Sequence, residues 1–132
     1  METMCYGILL ADRIIREDNG KMGIIGVFSQ LNFPNLPTVF NGPWAIYVGL
    51  ANIRGKHTIS MNLVHDATTS VVLPISFEVS VPPEAHNAIE LNIPCPPVLF
   101  NNSGSHTLTI NIDGHQVASR IIQVNILSVA GA

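Results

Sequence analysis

The sequence predicts an all-β protein, because apolar residues recur at every second position along most of the chain and no segment keeps the 3.6-residue period of a helix. Turn-forming residues interrupt this alternation at short intervals. The length of 132 residues is that of one domain, so we treat residues 1–132 as a single domain. About eight short strands at this spacing are typical of a two-sheet sandwich or a small barrel.

A hairpin is predicted at the start of the chain. Its first strand runs over about residues 5–16, and residues 17–20 form the turn, since Asn19-Gly20 readily adopts the positive φ angles of a tight hairpin. The partner strand is predicted over about residues 21–32. Prolines recur over residues 33–43, and each removes a backbone donor, so we predict that this segment connects the two sheets.

The two strands that follow are predicted to lie in the core. In the first, large apolar residues share one face and small residues surround Tyr47 on the other, so we expect both faces to be covered. The large residues are Trp44, Ile46, Val48 and Leu50. After a turn at residues 54–56, the second strand directs Ile59, Met61 and Leu63 inward and its polar residues toward water.

An edge strand is predicted after a turn at residues 66–69. Apolar residues alternate there from Val71 to Val81, and Pro74 lies among them. Because proline cannot donate to a neighbouring strand, its presence favours an edge position. A short strand with Ile89, Leu91 and Ile93 inward comes next.

The end of the chain predicts one more hairpin. Residues 101–105 form a surface loop ahead of it. One strand holds Leu108, Ile110 and Ile112 inward, Asp113-Gly114 makes the turn, and the last strand runs from His115 to about residue 127.

Charge is scarce in this sequence. Only 11% of the residues are charged and 47% are hydrophobic, and the mean hydropathy is +0.36, so a disordered chain is excluded. The formal net charge is −3 and no basic run occurs, so we expect no nucleic-acid partner. No apolar stretch approaches the roughly 18 residues that a membrane span needs, so we expect no membrane partner.

The N-terminal segment and the cysteines favour a cytoplasmic protein. Glu2 stands where a secretory signal requires basic residues. Cys5 and Cys95 lie far apart in unlike contexts, which fits reduced thiols better than a disulfide framework or a metal site. We therefore expect a cytoplasmic protein without a cofactor.

Several motifs resemble those of one protein family. They are Ala11-Asp12-Arg13-Ile14-Ile15, Ile24-Ile25-Gly26-Val27-Phe28, Phe33-Pro34, Gly104, and the Asp113-Gly114 hairpin with Ala118-Ser119-Arg120. Through them the chain resembles DUF6941, a family of small bacterial proteins, over nearly its whole length. The resemblance implies an immunoglobulin-like β-sandwich and implies no activity. Members usually show Gly-x-Tyr before the penultimate strand, where this chain has Gly104-Ser105-His106.

Three charged residues inside predicted strands are candidate site residues: Asp12, Arg13 and Arg120. A buried charge is strongly unfavourable unless it is paired. We therefore favour a structural ion pair of Asp12 with Arg13 or Arg120 that locks the first strand to the last. The alternative is an anion-binding or recognition patch built from the same residues.

No motif predicts catalysis or metal binding. The five histidines, His57, His65, His86, His106 and His115, lack metal-ligand spacing, and four lie at predicted turns or strand ends, so we expect them at the surface. The Gly-x-Ser-x-Gly motif that exposes a nucleophilic serine is absent. Trp44 and Tyr47 could form a platform for a sugar, but their alternation with apolar residues favours a place in the core.

These features favour a non-enzymatic interaction or structural module that binds copies of itself or another protein. Weakly charged strands, an edge strand and an apolar tail at residues 128–132 support this interpretation. One alternative is a small-ligand or carbohydrate-binding sandwich that uses the loops at residues 33–43 and 101–105. Another is a hydrolase, which needs a serine or aspartate within hydrogen-bond reach of a histidine in a pocket.

Overall fold

The alternating pattern forms eleven strands, one 3₁₀ turn at Pro83–Ala85 and no α-helix in the computed structural model, which describes residues 2–127. The strands form a sandwich-like domain, so the all-β sandwich prediction is confirmed. The predicted count of about eight strands is too low, because several short strands lie within segments that had been assigned to turns. The finer immunoglobulin-like assignment stays a prediction.

A four-stranded antiparallel sheet contains the first hairpin. Its order is β2-β1-β5-β8, with β1 at Met4–Arg16, β2 at Met22–Phe28, β5 at Ala45–Ala51 and β8 at Ala88–Pro94. The predicted hairpin turn is confirmed: the Gly20 N–H donates to the Glu17 carbonyl at 2.9 Å, and Gly20 has a φ of +86°. β5 is buried on both faces, as the sequence predicted.

A five-stranded sheet faces the first. Its order is β3-β11-β10-β6-β7, with β3 at Gln30–Phe33, β6 at Gly55–His65, β7 at Ser70–Val81, β10 at Gly104–Ile112 and β11 at His115–Ile126. β3 pairs with β11 in parallel, and the other neighbours are antiparallel. β7 lies at the edge, which confirms the assignment made from Pro74.

A third, two-stranded sheet closes one end of the sandwich. β4 at Thr38–Phe40 pairs antiparallel with β9 at Val98–Phe100. These strands hold three residues each, which is too short for a pattern of period two to stand out among the surrounding prolines. Phe100 is fully buried and packs on Phe33 with ring centroids 5.7 Å apart.

The strand predicted over residues 21–32 changes sheets at Ser29. β2 belongs to the four-stranded sheet, and β3 begins at Gln30 beside β11 in the other sheet. The Ser29 carbonyl accepts the Gln123 N–H at 3.0 Å, which starts the new pairing. The single predicted strand is therefore wrong, because the chain crosses between sheets in the space of one residue.

A β-bulge displaces the start of β7. Leu63 pairs with Leu73 but its neighbour Val64 pairs with Val71, so Val72 has no counterpart on β6. The extra residue turns Val71 out of the core, where it is 55% exposed. The predicted inward position of Val71 is wrong for this reason, whereas Leu73 and Val81 are buried as expected.

The main core lies between the two large sheets. Its fully buried members include Leu10, Ile46, Leu50, Ile59, Met61, Leu63, Leu108, Ile110 and Ile122. A smaller apolar cluster of Ala11, Ile14, Ala45 and Tyr47 covers the opposite face of the four-stranded sheet. This second cluster is why small residues surround Tyr47 on β5.

Candidate functional site

The outer edge of β2 is the first candidate for an interaction surface, and we call it the β2 edge. β2 pairs with β1 on one side and, within residues 2–127, has no strand on the other. Its seven residues include no charge and no proline. Ile25 is 44% exposed and Val27 is 51% exposed. An edge with unpaired backbone groups and apolar side chains is a template for pairing with another strand.

A groove beside β1 and β11 is the second candidate, and we call it the lateral slot. β2 pairs with β1 only from Leu10 onward, and β3 pairs with β11 only from Gln123 onward. The earlier parts of β1 and β11 therefore lack a neighbour on the same flank of the sandwich. They line a groove of about 560 Å³ with Cys5, Tyr6, Gly7, Ile8, Leu9, Ala118, Ser119 and Arg120.

Arg120 enters the lateral slot from the inner face of the five-stranded sheet. It pairs across the ladder with Leu108, which is buried in the core, and cross-strand partners share a face. Its Nη1 donates to the Ile8 carbonyl of β1 at 3.2 Å. Its Nε is buried and has no hydrogen-bond partner among residues 2–127.

The predicted ion pair of the first and last strands is not formed. Within the described chain, the ion pairs are Lys56–Glu78 and His57–Asp113. Arg120 does link β11 to β1, but through a backbone carbonyl in place of a carboxylate. The prediction of an ion pair is wrong because an arginine, with five donors, can link two strands through a backbone carbonyl without a counter-ion.

Asp12 and Arg13 are exposed residues of the first hairpin, and within residues 2–127 neither forms a hydrogen bond or an ion pair with Arg120. Asp12 faces Gly26 of β2, where any Cβ would overlap the aspartate side chain and where φ is +72°. Arg13 lies across the ladder from Ile25. The structure therefore does not unite the three predicted residues in one contact, and their role in recognition stays a prediction.

His57 and Asp113 meet in a cleft of about 620 Å³ near the last hairpin. His57 Nδ1 lies 2.6 Å from Asp113 Oδ2, and Nε2 lies 2.8 Å from the Arg54 carbonyl oxygen. Both partners accept only, so both ring nitrogens donate, and these two bonds raise the pKa of His57. The Thr58 N–H and then His57 lower the pKa of Asp113.

This arrangement makes His57 a structural clasp. A general base needs a free ring nitrogen that can accept a proton from a nucleophile. In His57 the nitrogen opposite the carboxylate is already bonded to Arg54. His57 and Asp113 are therefore within the hydrogen-bond distance that the hydrolase hypothesis required, but His57 has no free ring nitrogen to accept a proton from a nucleophile.

Two histidines are buried, which corrects the prediction that all five lie at the surface. His65 is 5% exposed and His106 is 0% exposed, and their ring centroids are 5.0 Å apart. They are cross-strand partners on β6 and β10, and each lies two residues from a buried leucine, on the inward-facing side of its strand. Alternation past Leu63 and before Leu108 was the signal that could have found them.

The two buried rings are bonded differently. His65 Nε2 donates to the Ser103 carbonyl at 3.0 Å, and Nδ1 is hydrogen-bonded to the Thr68 hydroxyl at 2.7 Å. His106 Nδ1 donates to the Gly104 carbonyl at 3.0 Å, and its Nε2 is buried without a partner among residues 2–127. Burial is the main reason that the pKa of His106 is lowered.

The aromatic residues belong to the packing of the fold. Trp44 is 3% exposed and donates from Nε1 to the Pro96 carbonyl at 3.2 Å. Burial removes it as a sugar-stacking anchor. The Tyr47 hydroxyl donates to Glu90, and burial and this bond raise the pKa of Tyr47.

Metal ligands and membrane-spanning helices were sought across residues 2–127. No group of three or more histidine, cysteine, aspartate or glutamate side chains there is arranged to hold a metal ion. No helix in this part of the chain has the length and apolar character needed to cross a membrane.

A family model of a family of unknown function, DUF6941, matches residues 7–125. The chain belongs to this family. The match covers both large sheets, the lateral slot from Gly7 onward and the whole β2 edge, which confirms the resemblance noted in the sequence. No curated protein matches the chain. Membership of a family of unknown function assigns no activity to the chain.

Proposed function

We propose that this DUF6941 protein is a non-enzymatic interaction module that associates with copies of itself through the β2 edge. The observation that carries the proposal is the combination found on β2: an unpaired edge, no charged residue, no proline and exposed Ile25 and Val27. Strand addition at such an edge supplies backbone hydrogen bonds between chains.

The pairing that we propose is antiparallel and two-fold symmetric. β2 of one copy would lie beside β2 of the second, so that two four-stranded sheets become one continuous sheet of eight. Ile25 and Val27 would each bury the half of the side chain that is now exposed. Such burial contributes about 1 kcal/mol for each side chain, and the backbone hydrogen bonds between the two edges add to it.

The other three edges of the two large sheets carry features that oppose pairing. β3 is only four residues long, and its exposed residues are the polar Gln30 and Asn32. β7 contains Pro74 and the exposed Glu78, which pairs with Lys56 of β6. β8 has an exposed Glu90 and ends at Pro94. Natural edge strands use prolines and charges of this kind to prevent pairing with another chain. The β2 edge has neither device, so it is the edge that we assign to association.

The non-enzymatic part of the proposal rests on the histidines. His57 and His65 each use both ring nitrogens within the fold, and His106 uses one and is fully buried. A bacterial cytoplasm is the location that we propose, and the two free cysteines support it, since disulfides form mainly in oxidising compartments. The apolar tail at residues 128–132 lies outside the described residues and carries no part of this proposal.

A small-ligand function is the second candidate, and one cleft favours it. The cleft has a volume of about 200 Å³ beside the predicted loop, with Asn101, Asn102 and His106 in its wall. The amides of Asn101 and Asn102 are the groups that would hydrogen-bond such a ligand, since His106 is fully buried behind the wall. Carbohydrate binding through Trp44 loses its support because Trp44 is buried.

The experiment that tests the proposal compares two matched variants by sedimentation velocity over micromolar concentrations. Val27→Lys places a charge on the β2 edge, and Val71→Lys makes the same change on β7 at nearly the same exposure, 51% against 55%. We expect the wild type and Val71→Lys to form dimers and Val27→Lys to stay monomeric. A monomeric wild type overturns self-association, and a dimer that only Val71→Lys disrupts overturns the choice of the β2 edge.

A further inference from the structure

We propose that the lateral slot binds an extended peptide segment and that Arg120 pairs with a carboxylate of that segment. This inference goes beyond self-association, because it concerns the opposite part of β1 and a partner of different chemistry. The observations that point to such a ligand are a guanidinium that has no counter-ion and only one hydrogen bond among residues 2–127, and the two strand edges that flank it.

The walls of the slot are suited to a strand. On one side, β1 from Met4 to Leu9 pairs with β5 but has no neighbour on its other edge among the described residues. On the other side, β11 from His115 to Ile122 pairs with β10 alone. An extended segment can add to an edge of this kind through backbone hydrogen bonds, as β2 and β3 do farther along the same two strands.

Arg120 gives the slot its preference for a negative group. Its side chain starts on the inner face of its sheet and reaches across to β1, where only one of its three nitrogens has a bond to a carbonyl of the described chain. No carboxylate lies within 4.0 Å of it among residues 2–127, and its Nε is buried without a partner. A guanidinium binds a carboxylate through two parallel hydrogen bonds, and desolvation strengthens that pair.

The remaining lining accepts a strand without adding charge. Tyr6 is 55% exposed at the rim, and Gly7 and Ser119 are small enough to let a backbone approach. The slot holds no acidic residue, so a peptide carboxylate meets no repulsion from its walls. We therefore expect the slot to discriminate an acidic segment from a neutral one of equal shape.

The test uses two peptides that differ only in a side-chain carboxylate, which is replaced by an amide in the second peptide. Both are acetylated, amidated heptapeptides of alternating threonine and valine, one with a central glutamate and one with a central glutamine. Binding is followed by amide chemical shifts of the ¹⁵N-labelled protein. We expect the glutamate peptide to bind about tenfold tighter or more, because a hydrogen bond to a charged group is worth that factor. The shifts should centre on Cys5–Leu9 and Ala118–Arg120.

Matched variants separate Arg120 from general charge effects. Arg120→Gln removes the charge from the slot and should abolish the preference for glutamate, while Arg13→Gln removes an exposed charge from β1 outside the slot and should retain it. The melting temperature of each variant shows that it is folded. Acetate added as a competitor distinguishes a free anion site from a peptide site: full displacement by acetate of the shifts at both walls overturns the peptide assignment.

Three further outcomes would overturn the proposal. Equal binding of the two peptides removes the role of Arg120. Tighter peptide binding or stronger self-association by Arg120→Gln identifies the arginine as a guard that keeps strands off these edges. Chemical shift changes centred on β2 would show that the peptide binds at the self-association edge. The Val27→Lys variant, which changes the β2 edge and leaves the slot unchanged, tests the slot separately from the dimer, because its slot should still bind the glutamate peptide.

Discussion

His106→Phe is expected to remove a pH dependence of stability that the wild type carries. His106 is fully buried between His65 and Phe100, with ring centroids 5.0 Å and 5.5 Å away. Phenylalanine preserves the flat ring and these contacts. It loses the bond from Nδ1 to the Gly104 carbonyl and also removes the buried Nε2 that has no partner.

The magnitude at neutral pH follows from those two changes. Losing the bond to Gly104 costs about 1 kcal/mol, and removing an unsatisfied buried acceptor returns about 1–3 kcal/mol. The variant should therefore be equal to the wild type or up to about 2 kcal/mol more stable. The Gly104 carbonyl is at the start of β10, where water can replace the lost donor.

The difference should grow as the solution is acidified. Burial lowers the pKa of His106 below the ordinary value of 6.5, so below that pH the unfolded chain binds a proton that the folded protein does not. The stability that neutral His106 confers is complete above 6.5 and is lost as the pH falls, with a slope approaching about 1.4 kcal/mol per pH unit. Asp66 opposes this shift and His65 reinforces it, but burial is the larger effect.

The assay is urea denaturation of both proteins at a series of pH values between about 7.5 and 5.5. The unfolding free energy of the wild type minus that of His106→Phe should become more negative below about pH 6.5. A difference that stays constant, or that shrinks in acid, would refute the conclusion that His106 is held neutral by burial.

Three further predictions concern other parts of the fold. His57→Gln should change the pH dependence in the opposite sense, because the raised pKa of His57 gives stability that is present below about 6.5 and lost at higher pH; denaturation over the same pH series checks this. Asp113→Asn should move the His57 pKa down, as followed by proton NMR titration, and an unchanged titration would contradict the clasp. Gly49→Ala should destabilise the protein by about 1 kcal/mol because a methyl group there overlaps the Tyr6 ring, and a Tyr6→Ser background should reduce the loss.

Most of the fold was predictable because a strand with one buried face has an apolar residue at every second position, which shows which side faces the core. Ile59, Met61 and Leu63 are buried as predicted, and so are Leu108 and Ile110. Both hairpins with a glycine turn also formed as expected, since the left-handed conformation that they need is a local property of those residues.

The errors arose where the partner of a strand changes. The alternation of apolar residues is broken at Ser29. Phe28 packs on the core, and the next buried residues are Leu31 and Phe33, which are three and five positions later and not an even number away. That break in parity signals a change of sheet, but which sheet receives β3 depends on β11, far along the chain. The bulge at Val72 has no such signal, because it lies within a run of apolar residues.

The candidate site was predicted only in part, for a related reason. Arg120 was named from the sequence, but His65 and His106 were expected at the surface because the alternation was not used to assign the direction in which they face. His65, His106 and Arg120 all occupy inward positions of regular alternation, after Leu63, before Leu108 and between Ala118 and Ile122. A polar residue at such a position either finds a partner within the fold or retains an unmet donor or acceptor. His65 finds two partners, whereas His106 and Arg120 each keep a buried nitrogen without one.

The crossing at Ser29 connects both surfaces to one feature of the chain. Because β2 ends there, it covers only the later half of β1, and because β3 begins there, it covers only the last third of β11. The crossing therefore closes one part of the flank, leaves the lateral slot in the other part, and places β2 itself at an edge. With only 11% of its residues charged, the chain has few groups with which to protect these edges, and Arg120 is the one charge that lines the slot. A fold that leaves weakly charged strand edges open on one flank is suited to strand pairing with other chains, and we assign the β2 edge to a second copy and the slot to an acidic segment.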